Sequence, residues 1–361
     1  MRLALAAILA VAASAALGPA SASAQPICGQ ALTSNTTLEA DLDCTGQPGP
    51  ALVIGAPDIT FDLAGHSLSG TSNAVLNEGH DRVTIRNGSV AANEGPPVFL
   101  RGSARNEIRE LTVTGLNSGI WLSDSDRNRI AANHVLGSIR LSDGSNRNTV
   151  AANHWPAGED GLVLTESSDN RVVRNAFDGV DGSPIALDAA HRNWIAHNTV
   201  RSLYNGISLR SSHGNDLVDN FIGPAASFPA QGPELRDSSR NLLLRNTIVG
   251  TFLGARVVSG QGNALWGNLV VAGTPYDFNP SEPDGIRVEA AAAATALVRN
   301  TAVSFPDDGI DVESPATFLE RNRANDNGDL GIEAVAAAID GGGNRARGNG
   351  NPAQCVNVSC R

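Results

Sequence analysis

An all-β solenoid of stacked parallel strands is the fold this sequence predicts, and three observations predict it. One unit recurs along most of the 361 residues, the mark of a repeat architecture. Each copy carries short runs of alternating apolar and polar residues, such as Ile207-Ser208-Leu209, whose period of two is that of a strand. The segments joining these runs are too short to hold helices.

The unit has two halves. The first is an apolar segment led by a glycine, as in "SGIWLSDSDRN", "DGLVLTESSDN", "NGISLRSSHGN" and "DGIDVESPAT". The second holds two asparagines, in "NRIAAN" from Asn128, "NTVAAN" from Asn148, "NRVVRN" from Asn170, "NWIAHN" from Asn193, "NDLVDN" from Asn215, "NLLLRN" from Asn241 and "NALWGN" from Asn263. Successive copies start 20, 22, 23, 22, 26 and 22 residues apart. A unit of this length closes one coil, and each strand then pairs with its counterpart one coil on, at about 4.8 Å. About 13 coils between residues 50 and 350 make a rod of roughly 60 Å. Gly119, Gly161, Gly206, Gly254, Gly285, Gly309 and Gly331 fall in one column, at a corner expected to need a backbone shape that side chains resist. The second asparagines, from Asn133 to Asn322, fall in another. There, stacked amides can bond along the axis and satisfy turn backbone groups.

The opening "CGQALTSNTTLEADLDC", continued by "LVIGAPDITFDLAGHSLSG", and the ending "DLGIEAVAAAIDGGGNRARGNGNPAQC" join this repeat in a wider likeness. The chain resembles the right-handed parallel β-helix proteins of the pectate-lyase-like superfamily, in the secreted group with PbH1-like repeats. The resemblance covers nearly the whole chain after the leader. It implies an all-β, right-handed parallel β-helix and leaves the activity open, because one scaffold carries many functions. A leucine-rich repeat would need a dense leucine consensus, which is missing.

Composition narrows the function. Hydrophobic residues make up 41% and charged residues 17%, the net charge is −11, and no lysine occurs. An acidic chain without basic clusters is a poor partner for nucleic acid. Schiff-base and phosphate-binding lysines are excluded. Methionine occurs only at Met1, so a Met-lined copper site is excluded from the mature chain.

Residues 1–24 read as a signal peptide: Arg2, an apolar run over 3–17, then the small-residue site Ala22-Ser23-Ala24. An uncleaved anchor is the alternative, but the run is short for a membrane span. The chain is expected to be secreted or extracytoplasmic (periplasmic in a Gram-negative source), without a later membrane span, and monomeric. The parts expected after the leader are an N-terminal cap over 25–50, the β-helix over 51–350 and a tail over 351–361. Four cysteines fit an oxidising compartment. In an elongated fold the two ends are too far apart to bridge, so the expected pairs are Cys28–Cys44 and Cys355–Cys360.

Stacking makes residues of successive units neighbours. On the glycine-led strand the outward column reads Trp121, Arg140, Val163, Ala186, Ser208, Glu234, Arg256, Arg287, Asp311 and Glu333. Its later half is entirely charged. Asp284 is expected over Asp308, and Glu289 over Glu313. Like charges at strand spacing must be protonated, bridged by a cation or offset by arginine. One reading is a functional patch: Arg287, Asp311, Asp308 and Arg256 as catalytic groups, with Asp284, Asp308, Glu289 and Glu313 as oxygen ligands for calcium. The arginines would neutralise a uronate carboxylate or accept a proton, as the resemblance to carbohydrate lyases of this superfamily implies. The other reading is a solvated Glu–Arg–Arg–Asp ladder.

The longest insertions, 221–234 and 270–285, adjoin the charged half and offer Phe228, Tyr276 and Phe278 for sugar stacking, beside Glu234. "YDFNP" is similar to the Tyr-x-Phe-Asp-Pro-His stretch of mannuronan epimerases, but Asn279 and Ser281 stand where that chemistry needs aspartate and histidine. "PDDGIDVE" resembles an aspartate motif of polygalacturonases without the companion Gly-His-Gly and Arg-Ile-Lys motifs. His134 and His154 follow stacked asparagines and could meet, whereas His191, His197 and His213 scatter over different positions. Together these readings point to binding or processing of an extracellular acidic polysaccharide, lyase-like if catalytic. The alternative is a non-catalytic structural or adhesion module.

Overall fold

The chain turns where it does because of its asparagines and the residues before them. In this computed structural model, which describes residues 25–116, 118–225, 230–273 and 283–361, Ala132, Ala152, Arg174, His197 and Asp219 have φ between 51° and 56°. Each immediately precedes a second asparagine. For a residue with a side chain this left-handed geometry costs about 1–2 kcal/mol.

The asparagine that follows holds the corner. The Asn153 N–H donates to Asn175 Oδ1 at 3.0 Å, and its Nδ2 donates to the Ile130 carbonyl at 3.0 Å and to Asn175 Oδ1 at 3.1 Å. The same backbone link runs coil by coil from Asn133 to Asn344. The first asparagines form a second ladder, from Asn106 to Asn263. Both ladders are buried, and they supply the partners that turn backbone groups would otherwise find in water.

Between the corners lie three parallel faces. The first is a sheet of fifteen strands, from Gln30–Leu32 to Cys355–Val356, of which thirteen start between residues 50 and 350. The second and third follow the two asparagines, as in Arg129–Ala131 and His134–Leu136. Every paired strand is parallel to its neighbour one coil away, as Trp121 facing Arg140 and Arg140 facing Val163 illustrate. No helix occurs among the described residues. Inward side chains fill the coil interior in one continuous apolar column, with Trp155 and Phe177 stacked at 4.4 Å. Cys28 is bonded to Cys44 and Cys355 to Cys360, with Cα separations of 5.6 and 6.2 Å.

Two readings need correction. The seven-glycine column has no positive φ. Its requirement is close approach: a Cβ on Gly254 would lie 1.7 Å from the Gly285 carbonyl oxygen, and one on Gly285 would lie 2.5 Å from that of Gly309. Neighbouring coils therefore meet backbone to backbone at this corner. His191 and His213 do not scatter either. They stack with ring centroids 5.0 Å apart, and each Nδ1 accepts a backbone N–H from the next coil. The leader, Phe228, Tyr276, Phe278, Asn279 and Ser281 lie outside the described residues.

Candidate functional site

The first face carries the charged column in register: Ser208 faces Glu234, then Arg256, Arg287, Asp311 and Glu333 follow in successive coils. What register cannot show is depth. The strand Ile286–Val288 is buried at all three positions, so Arg287 is only 8% exposed although it stands on the outward side. A collar of carboxylates covers it. Its guanidinium lies 3.2 Å from Asp284, 3.6 Å from Asp311 and 2.6 Å from Glu313. Arg256, at the edge of this cluster, is paired with Glu289 and lies 3.7 Å from Glu234. Both arginines therefore hold carboxylates of their own ladder. Glu289 and Glu313, placed among the calcium ligands by sequence, each face an arginine.

The corner aspartates play a part like that of the asparagines. The Asp308 N–H donates to Asp284 Oδ1 at 3.1 Å, and the Leu330 N–H donates to Asp308 Oδ1 at 2.7 Å. Unlike an amide, a carboxylate brings a charge into this buried corner. Burial pushes the Asp284 carboxyl up to about 6, helped by Asp307 and opposed by the Asp308 N–H and Arg287. Burial pushes Asp308 up to about 8, and a hydrogen bond with Glu333 and the charge of Asp284 add to the rise. Asp311 is pushed up to about 7, again mainly by burial and then by the charge of Asp284.

These groups line a groove of about 420 Å³ with Asp307, Glu313, Asp329 and Glu333. Two carboxylate trios bring one oxygen each within 4.8 Å of the others: Asp307, Asp308 and Asp329, and Asp308, Asp311 and Glu333. Sequence reading had not singled out Asp307 and Asp329, and it counted Glu333 only as a column member. The doubled acid "DD" and the position of Asp329 one coil beyond Asp307 are the signals that could have found them. Such hard oxygen sets suit calcium, magnesium or manganese rather than softer metals.

A further correction concerns basic clusters. Arg323 faces Arg345 in adjacent third-face strands, and Arg347 follows on the same strand. With Arg299 and Arg321 they form an exposed basic surface on the C-terminal coils.

With the geometry in hand, comparison with known proteins places the chain. Residues 60–155 and 137–280 match the family described as periplasmic copper-binding protein (NosD). The chain belongs to this family. No curated protein sequence matches it. Among solved structures it is similar to the Dettilon tailspike protein, with TM-score 0.54 and 16% identity over 83% of this chain and 61% of that one. It thus spans less than two thirds of the tailspike's length. It is also similar to a variant of DFA-IIIase from Arthrobacter chlorophenolicus A6, with TM-score 0.49, 12% identity and 74% and 72% coverage. For the Azotobacter vinelandii mannuronan C-5 epimerase AlgE4 A-module the values are 0.45, 11%, 92% and 89%. At 16% identity the likeness to the tailspike is one of fold. The periplasmic family and the two disulfides fit an extracytoplasmic protein. No described helix is long and apolar enough to cross a membrane.

The family description names copper, and the donors of this chain do not match a soft copper centre. All four cysteines are in disulfides, and the single methionine is Met1. Among the described residues no trio of close metal donors includes a histidine, and both trios are wholly carboxylate.

Proposed function

We propose that the first-face groove over residues 284–335 binds an extracytoplasmic acidic polysaccharide through a bridging divalent cation, calcium by its donor set. The observation that carries this reading is the charge balance of the groove: seven carboxyl groups surround one buried guanidinium. A uronate chain is repelled by such a surface unless a cation or protons intervene. Asp311, Glu313, Glu333, Asp307 and Asp329 are open to solvent at least in part; Glu313 is held by Arg287, and the other four would share the cation with a sugar carboxylate. Asp308 and Asp284 would complete the cation's field from below.

Turnover is a second reading, favoured by the protons that Asp308 and Asp311 hold near neutrality. Of the two, Asp311 is the partly exposed carboxyl, and a carboxyl of this kind can protonate a glycosidic oxygen. Lyase chemistry by arginine is less favoured, because Arg287 and Arg256 are engaged by carboxylates. Calorimetric titration with oligogalacturonate, in calcium and in chelator, tests the proposal. A calcium-dependent component of binding that is lost in Asp311→Asn supports it; a binding isotherm identical in calcium and in chelator refutes cation bridging. Ultraviolet absorbance of unsaturated products, or new reducing ends, separates elimination and hydrolysis from binding alone.

A further inference from the structure

The C-terminal coils carry a second charged surface, on the third face and unrelated to the carboxylate groove. Its central column is Thr301, Arg323 and Arg345, one residue per coil and in register. Beside it run Val303, Asn325 and Arg347. Arg299 and Arg321 stand at the adjoining corner. A groove of about 630 Å³ lies over Arg323, Arg345 and Arg347, and a second of about 350 Å³ over Arg299, Arg321 and Arg323. The two share Thr301 and Arg323, so they form one continuous channel.

Arginines stacked at strand spacing repel one another as the acids do. On the first face, that repulsion is offset by opposite charges within the ladder. Here it is not. Arg321 has Glu320 at 3.4 Å, whereas Arg299, Arg323, Arg345 and Arg347 have no carboxylate partner among the described residues. Two corner arginines elsewhere are paired across coils: Arg192 with Asp169 at 2.8 Å, and Arg245 with Asp219 at 2.7 Å. Arginines without an ion pair among the described residues also occur earlier, among them Arg127, Arg174 and Arg240, so what distinguishes this end of a chain whose net charge is −11 is the in-register stack of Arg323 on Arg345 with Arg347 beside it. The same third-face column is uncharged through Ala176, Thr199, Phe221, Thr247 and Leu269.

We infer that this channel binds an anionic polysaccharide directly, without a metal, with its carboxylates set against successive arginines. The guanidinium fork matches a carboxylate in two parallel hydrogen bonds, and the in-register column presents one fork per coil along the helix axis. Thr301 and Asn325 add hydrogen-bonding groups suited to sugar hydroxyls. No aromatic side chain lines either groove, so nucleobases would find no stacking platform. A polymer with charge on every unit and hydroxyls between the charges meets these demands.

The test uses the full chain, an oligogalacturonate probe and excess chelator, so that binding through the carboxylate groove is silenced. The expected result is chelator-resistant binding that weakens with salt. The double variant Arg323→Gln/Arg345→Gln should lower affinity at least about tenfold, while Arg192→Gln, which removes one exposed charge elsewhere, should leave it unchanged. These side chains are exposed, and unchanged circular dichroism and melting would confirm that the double variant folds. No binding in chelator at low salt would overturn the inference, as would full affinity in the double variant. Equal affinity for a single-stranded oligonucleotide, with the same arginine dependence, would replace the glycan by nucleic acid and also overturn it. Loss of calcium-dependent binding alone would count against the carboxylate groove and leave this channel standing.

Discussion

The two halves of the first-face ladder share a backbone and differ in what they carry. Trp121, Arg140, Val163, Ala186 and Ser208 occupy the earlier half, and Glu234, Arg256, Arg287, Asp311 and Glu333 the later one. The same asparagine ladder runs behind both. In the earlier half, Arg140 is 38% exposed along its side chain and meets Asp160 at 3.6 Å. In the later half, Arg287 is sealed under three carboxylates. The solenoid therefore needs no charge at this position to form. The later half keeps an arrangement that is costly to desolvate, which is why we read it as the site.

The largest expected effect breaks that comparison most directly. Arg287→Met should cost about 3–5 kcal/mol, because it leaves Asp284, Asp311 and Glu313 uncompensated; Arg140→Met should cost less than about 1 kcal/mol. Equal losses in urea denaturation would mean that the two halves are energetically alike. Next in size is the feature they share. Asn198→Ala in the earlier half and Asn300→Ala in the later should each cost about 2–3 kcal/mol, since each strips partners from two buried backbone groups of the preceding coil: the Asn175 N–H and Val172 carbonyl for Asn198, the Asn268 N–H and Leu265 carbonyl for Asn300. A large gap between the two would show that the corners are not equivalent.

Within the first-face ladder, the pH response between pH 5 and pH 8 should come from the later half. Asp284, Asp311 and Asp308 have folded values raised to about 6, 7 and 8 from 3.8. Between 3.8 and about 8 the folded chain thus keeps protons that the unfolded chain has released, and stability falls as pH rises through that window. In chelator the melting temperature should drop from pH 5 to pH 8. Calcium should restore it, and do so more strongly at pH 8 than at pH 5, because cation and proton compete. Asp308→Asn should flatten the profile; an unchanged slope in that variant would remove Asp308 from the account. The smallest effect is expected from Val163→Asp, a charge placed on the half-exposed earlier ladder, at under about 0.5 kcal/mol by thermal melting.

Much of this was legible beforehand, for a definite reason. Strand pairing in a solenoid is set by repeat length, so counting along the chain identified Arg287 as the neighbour of Asp311 and Asp284 as the neighbour of Asp308 before any coordinates. The asparagine columns were legible for the same reason. The role of the glycines was not, because a tight contact between coils and a left-handed turn both favour glycine in a sequence. Nor were the arginines of the third face. They are spread over four dozen positions and gather only once the coils stack.

By itself, then, the sequence determined the solenoid, its register and the residues that become lateral neighbours, since all three follow from periodicity. Only the tertiary structure decided which charges are buried, which find partners and which remain open to solvent. Those outcomes depend on how far each side chain is withdrawn from water and on what lies across the groove, and neither is a property of spacing along a chain.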